Sequence, residues 1–237
     1  MSSIFVVGTA DTKGDELDYI AACVSAAGGN PLKVDVGTRQ PSVSIDISAR
    51  QVAAAHPMGA DAVLASDDRG IAVAAMGEAF SRFIANRTDI AGIIGIGGGG
   101  GTSIVSRGMQ TLPIGVPKLL VSTLASGDVA PYVGASDIVM MPAITDLAGL
   151  NRISRVILGQ AGRAIVAMSE APREIAGGKT AIGLTMFGVT TAGVTQVQDL
   201  LNDRFECVVF HATGTGGRTM EALVSNGMLS GVIDLTT

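Results

Sequence analysis

The chain has 237 residues, 47% of them hydrophobic, with 16 Lys and Arg against 21 Asp and Glu for a net charge of −5. That is enough apolar material for one large domain or two smaller ones. The basic residues are scattered, and six Phe, two Tyr and no Trp leave little to stack bases on, so nucleic-acid binding is not expected.

The N-terminus "MSSIFVVGTADTKG" lacks a basic region ahead of a long apolar one, so it reads as a strand and not a signal peptide. No stretch reaches ~18 apolar residues free of charge, so no membrane span is expected. A cytoplasmic protein is the default. Cys23 and Cys207 each sit in an apolar stretch and read as reduced core cysteines.

Ile4 to Val7 forms a short buried strand. A helix follows from about Gly14 to Ala27, with Leu17, Ile20, Ala21 and Val24 at helical spacing, and Gly28 and Gly29 stop it. Leu32 to Val36 is the second strand of a βαβ unit, which implies parallel pairing. Ser48 and Gln51 fit a capping box on a short helix that ends before Pro57. A longer helix opens near Arg69. Strand Ala91 to Ile96 leads into the run Gly97 to Gly101, and a helix is expected from about Thr102 to Gln110. "PKLLVST" and "ASDIVMMP" are further strands, and "ITDLAGLNRISRVILGQAGRAIVAMSEA" is a long helix. This alternation is the pattern of a doubly wound α/β domain.

"APREIAGGKT" reads as a linker, after which the alternation restarts. "TAIGLTMFG", "FECVVFHA" and "LSGVIDLTT" are strands. "TTAGVTQVQDLLNDR" and "RTMEALVSNGM" are helices. Residues 1–175 are therefore expected to be one Rossmann-like subdomain and 176–237 the start of a second. Two stretches, "IIGIGGGGGTSIVSRGM" and "VVFHATGTGGRTMEALVSNGM", share the order strand, Gly-rich loop, helix, and read as an internal repeat. Three strands and two helices are too few to cover both faces of a parallel sheet, so the second subdomain is expected to be incomplete or covered by another chain.

Three loops leave the carboxyl ends of expected strands, where ligands sit in open α/β sheets. In "GTADTKGDE", Asp11, Thr12 and Lys13 precede a helix N-terminus whose amides favour an anion. The spacing from Gly8 to Lys13 is GxxxxK and fails the phosphate-loop pattern GxxxxGK[ST]; a helix cap with solvated charges is the plainer reading. Gly97 to Gly101 open a helix at Thr102 and Ser103, where bare amides can approach phosphate oxygens. Gly95, Gly97 and Gly100 match GxGxxG only as any glycine run does, and a dinucleotide site also wants an acid about 20 residues on, at the end of the next strand, where "KLLVST" has none. A phosphate-bearing ligand is therefore favoured over a dinucleotide, with a tight turn and close helix–strand packing as the alternative. The third loop, "STLASGDVAPYVG", offers Thr123, Ser126 and Asp128, or is a plain connection.

Asp35 ends the second strand where a ribose-binding acid often sits. Asp67, Asp68 and Arg69 suit a helix start without further function, and Asp146 and Asn151 suit a helix cap and first-turn polar group, or reach the same cleft. His56 reads as a surface cap, and His211 as the better functional candidate of the two. No nucleophile motif or zinc-ligand spacing names a reaction.

"GTADTKGDEL", "SDDRGIAVAAMGEAF", "GIGGGGGTSIVSRGM" and "MPAITDLAGLNRIS" together resemble, over the whole chain, the ATP-binding-domain family of the tomato mosaic virus resistance protein. The resemblance implies two tandem Rossmann-like subdomains, the second truncated here because members continue past "GVIDLTT". It implies ATP as the ligand, Mg²⁺ as its companion, and a homo-oligomer or a second chain completing the C-terminal subdomain. The plant member binds a viral replication protein. By motif match the nucleotide site falls on Thr9, Asp11, Thr12 and Lys13 and on Gly97, Gly98, Gly99, Gly100, Gly101 and Thr102. Thr123 and Ser126 join them by loop position. Three roles stay open: a nucleotide-binding protein; an ATP-dependent enzyme of phosphoryl transfer or hydrolysis, with Lys13 on the phosphates and Asp11 or Asp128 on Mg²⁺; and an interaction module with structural ATP.

Overall fold

In the computed structural model, which describes residues 2–171, 178–212 and 214–236, the chain divides into two compact units. The larger is built on a five-stranded, all-parallel sheet of β1 (Ser3–Gly8), β2 (Pro31–Asp35), β3 (Ile90–Gly97), β4 (Lys118–Ser122) and β5 (Val139–Pro142). Its strand order is β2-β1-β3-β4-β5.

The apolar run of β1 is continuous because both faces of the sheet are covered. Phe5 and Val7 face a core built with α4 (Arg69–Ala85) and α5 (Gly99–Met109), where Met76, Phe80, Ile104 and Met109 are buried. Ile4 and Val6 face the opposite core, which takes Leu17, Ile20 and Val24 from α1 (Gly14–Ala26) and Leu158, Ile165 and Val166 from α7 (Arg152–Glu170). The fold is therefore doubly wound, as the alternation implies.

Local signals set several helix ends. Gly28 adopts φ +91 and its N–H bonds to the Ser25 carbonyl, which terminates α1. Ser48 and Gln51 form the capping box of α2 (Ala49–Ala53), and Asp68 caps α4 by accepting from the Ile71 N–H at 2.9 Å. Asn151 caps α7, which starts well after the expected Ile144, because residues 143–150 form an irregular loop. Two short helices carried too little periodicity to be read: α3 (Gly59–Leu64) and α6 (Ala130–Val133). Cys23 and Cys207 are free and only half-buried, so neither is a true core residue; Cys23 stands where α1 meets Gly162 of α7.

Of the expected linker, residues 172–177 lie outside the described residues. The smaller unit holds a parallel sheet of order β7-β6-β8, from β6 (Thr180–Met186), β7 (Phe205–His211) and β8 (Val232–Ile233), with α8 (Thr191–Leu201) and α9 (Gly216–Ser225). Ile182, Leu184, Val194, Met220 and Leu229 form its buried interior. Its first strand is central, its second lies on one side and its third on the other, as in β2-β1-β3. The two units are thus tandem and Rossmann-like, but their correspondence differs from the one the glycine loops suggest. Topology pairs β7 with β2, and β8 with β3. The loop after β7 is therefore no counterpart of the Gly97–Gly101 stretch, because similar glycine content arose at different places in the winding.

Candidate functional site

The chain leaves β1 for β2 on one side and then crosses to β3 on the other. Ligands in open α/β sheets bind outside the carboxyl ends of the strands at such a switch point. A cleft of ≈ 490 Å³ opens there. Thr9, Asp11, Thr12 and Lys13 line it from the β1–α1 loop, and Gly98 to Gly101 line it from the start of α5. A third wall was not legible in sequence. It consists of Gly37, Thr38 and Arg39 after β2, with Ser66 and Asp67 ahead of α4 and Arg69 as its first residue.

The five consecutive glycines have two different explanations. A Cβ on Gly97 would lie 2.3 Å from the Thr102 backbone nitrogen, so strand and helix approach too closely for any side chain. Gly98, Gly99 and Gly101 meet no such obstacle. An added Cβ finds nothing within 4 Å at Gly99, Ile96 O at 3.4 Å at Gly101, and Thr123 Oγ1 at 3.8 Å at Gly98. None of the five lies in the left-handed region. The expected loop is in fact helical from Gly99, because these ordinary backbone angles let the Thr102 N–H close on the Gly98 carbonyl at 2.8 Å. Gly99 to Gly101 form the first turn of α5, where glycine costs about 0.5–1 kcal/mol per position relative to Ala. No side chain caps this end. First-turn amides have no intrahelical acceptor, so they face the cleft as donors at the positive end of the helix dipole.

Thr102 does not join them. It is fully buried, and its Oγ1 lies 3.2 Å from the Gly97 carbonyl and 2.7 Å from Ser122 Oγ. Thr9 and Thr12 pair through their hydroxyls at 2.9 Å. Lys13 donates from Nζ to the Leu147 carbonyl at 2.7 Å, which holds the β5–α7 loop against α1, helped by Glu16 Oε1 accepting from the Gly149 N–H. Arg69 reaches to 4.0 Å from where a Cβ on Gly100 would stand. Among the described residues neither Arg39 nor Arg69 is ion-paired.

Asp11 Oδ1 is buried without a hydrogen-bond partner. Asp35 behaves otherwise than a ribose-binding acid. It is buried, and its Oδ1 accepts from the N–H groups of Ala10 at 2.9 Å and Gly37 at 2.7 Å, tying the β1 and β2 loops together. Burial pushes its pKa up; the two amides pull it back, and the neighbouring Asp11 charge adds to the rise.

Thr123 and Ser126 line a separate depression of ≈ 560 Å³ at the ends of β4 and β5, together with Ser122 and residues 142–146. Asp128 lines neither cavity and accepts from the Ala130 N–H at the start of α6. His56 accepts from the Met58 N–H, as a cap does, but its side chain is mostly buried, with Nε2 3.8 Å from Glu78 Oε2; His211 ends β7 and is exposed. Among the described residues no three His, Cys, Asp or Glu side chains gather to hold a metal, and no helix is long and apolar enough to cross a membrane.

Fold and cleft define a doubly wound α/β protein with an uncapped, glycine-built helix end at its topological switch point. Residues 2–174 match the N-terminal domain of the Uncharacterised protein family (UPF0261), and residues 179–237 match its C-terminal domain. The chain belongs to that family. It is similar to a UPF0261 protein of Rhizobium meliloti, 64% identical over 237 residues, covering all of this chain and 60% of that protein. A UPF0261 protein of Clostridium tetani is 42% identical over 241 residues, covering 99% of this chain and 59% of that protein. The ToMV resistance protein Tm-1 of Solanum lycopersicum is 39% identical over 260 residues, covering 99% of this chain and 34% of that protein. The chain thus spans three fifths or less of the length of these relatives.

Proposed function

We propose that the larger unit binds a nucleotide, ATP, by its phosphates on the first turn of α5. One observation carries the reading. Gly99 and Gly101 need no special backbone angle and meet no obstacle under 3.4 Å in their own protein, yet they accept the helix cost of glycine. What side chains at these positions would obstruct is the cleft itself. Uncapped amides at a helix N-terminus suit phosphate oxygens, and Arg39 and Arg69 add charge from the opposite wall.

The carboxylate of Asp11 suits a Mg²⁺ ion carried in by the phosphates, since Mg²⁺ takes one or two carboxylates plus phosphate oxygens. Lys13 lies within the same cleft but already holds Leu147, so its share in anion binding would loosen that loop. Phosphoryl transfer is the second reading, and Asp11 is the residue that favours it. In a cellular setting the protein would act as a homo-oligomer, as the family resemblance implies, with the cytoplasm as its default location.

Calorimetric titration of the purified chain with ATP and Mg²⁺, with NAD as control, tests the reading. Saturable binding of ATP without comparable binding of NAD is expected. Equal binding of both, or of neither, contradicts it.

A further inference from the structure

The depression at the ends of β4 and β5 has no part in phosphate binding, yet it adjoins that site. Gly98 separates the two: its amide side belongs to the cleft, and a Cβ on it would stand 3.8 Å from Thr123 Oγ1 in the depression. The lining is rich in hydroxyls, from Thr123, Ser126 and Thr145, and carries the carboxylate of Asp146. Two features single it out. Thr145 Oγ1 is shut off from solvent and has no hydrogen-bond partner, a costly state for a hydroxyl. The residue before it, Ile144, is β-branched and 69% exposed, yet it has φ +66, alone among the described non-glycine residues. The Thr145 N–H closes on the Ala143 carbonyl at 2.7 Å, making a three-residue turn of the strained hand. Strain of this kind, beside an unsatisfied polar atom, is characteristic of ligand clamps.

We propose that this depression is a second subsite, which takes a ligand bearing neighbouring hydroxyl groups, as in a sugar, beside the phosphates. Its place next to the phosphates rests on the nucleotide reading above. Asp146 accepts from one hydroxyl of the ligand. The Thr145 hydroxyl, released as the strained turn relaxes, pairs with the next. Thr123 and Ser126 complete the wall on the β4 side. The hydroxyls belong either to the nucleotide's own ribose or to a separate sugar-like co-substrate.

Methyl NMR of the Ile- and Thr-labelled chain distinguishes these sources, with ATP, tripolyphosphate and D-ribose as probes. Ile104 lines the cleft and reports the phosphates; Ile144 and Thr145 report the depression. Shifts at Ile144 and Thr145 with ATP but not with tripolyphosphate place the nucleotide's ribose there. Shifts only when ribose is added to the tripolyphosphate-bound chain place a separate ligand there. Still signals at Ile144 and Thr145 under ATP and under ribose overturn the subsite, even where Ile104 moves. If Ile104 does not move, the nucleotide reading fails, and the response to ribose alone decides the subsite. Thr145→Val removes an unpaired hydroxyl at constant shape, so the fold should be kept while half-saturation at Ile144 rises about fivefold, one hydrogen bond's worth. An unchanged half-saturation in the folded variant also overturns the proposal.

Discussion

Gly97 and Gly99 are two residues apart in one glycine run and should respond to substitution in opposite ways. In Gly99→Val the new Cβ meets nothing within 4 Å, and the backbone angles are ordinary. Replacing glycine at a helix start gains a few tenths of a kcal/mol, so the melting temperature should stay level or rise by about a degree. The valine methyls would stand where phosphate oxygens must approach. Losing two charge-assisted hydrogen bonds at about 1.5 kcal/mol each amounts to ~3 kcal/mol, or roughly a hundredfold in Kd. In Gly97→Ala the Cβ would lie 2.3 Å from the Thr102 nitrogen and 2.6 Å from the Gly101 carbonyl carbon. Both are backbone atoms and cannot swing aside, so a loss of about 3 kcal/mol or more is expected, the upper end of overpacking. Thermal melts and ATP calorimetry on both variants read the two effects separately. A folded Gly99→Val chain with wild-type ATP affinity would falsify the phosphate assignment. A Gly97→Ala chain as stable as wild type would refute the packing argument.

Asp35 gives a pH prediction. Its folded pKa stands above the unfolded value, so the native state holds the proton more tightly. Stability should therefore fall as pH rises from about 4, the ordinary carboxylate value, up to the raised one. Asp35→Asn keeps an oxygen for the Ala10 and Gly37 amides and should flatten that segment in urea melts at stepped pH; an unaltered slope would refute the assignment. Asp35→Ala leaves both amides unpaired and should cost about 1–3 kcal/mol for each. Lys118 is fully buried, with Nζ donating to the carbonyls of Pro113 and Val116 and to Asp137. Lys118→Ala should cost about 3–5 kcal/mol, on the order of 10 °C in melting temperature. A shift under about 2 °C would show that the ammonium is dispensable.

Much of the larger unit could be read from sequence because its signals are local. The apolar runs of β1 and β3, the spacing of Leu17, Ile20 and Val24, and the capping residues Ser48 and Asn151 each speak within a few positions. The cleft is a long-range object, and only part of it was legible. The loops after β1 and β3 announce themselves by glycine and polar residues. The wall bearing Arg39 and Arg69 exists only because β2 and α4 are brought to the same edge by the strand order, which no local pattern encodes. Asp35 is hard to read for the same reason: its position suggests ribose, while one of its two partners, the Ala10 N–H, lies on another loop 25 residues away. Thr102 looked like part of the glycine site, but one turn of helix points it inward to Ser122. The low helix propensity of glycine masks the start of α5 at Gly99, although its cost is small beside the packing of Ile104, Val105 and Met109.

The most direct test of the central claim observes the amides themselves. In ¹H–¹⁵N spectra of the labelled chain, addition of ATP with Mg²⁺ should shift the N–H signals of Gly98 to Gly101 downfield, as amides do on taking charged acceptors, while signals in the middle of α5 stay in place. If those four signals stay still at saturating ATP, the phosphates do not rest on this helix end, and the run of glycines has another cause.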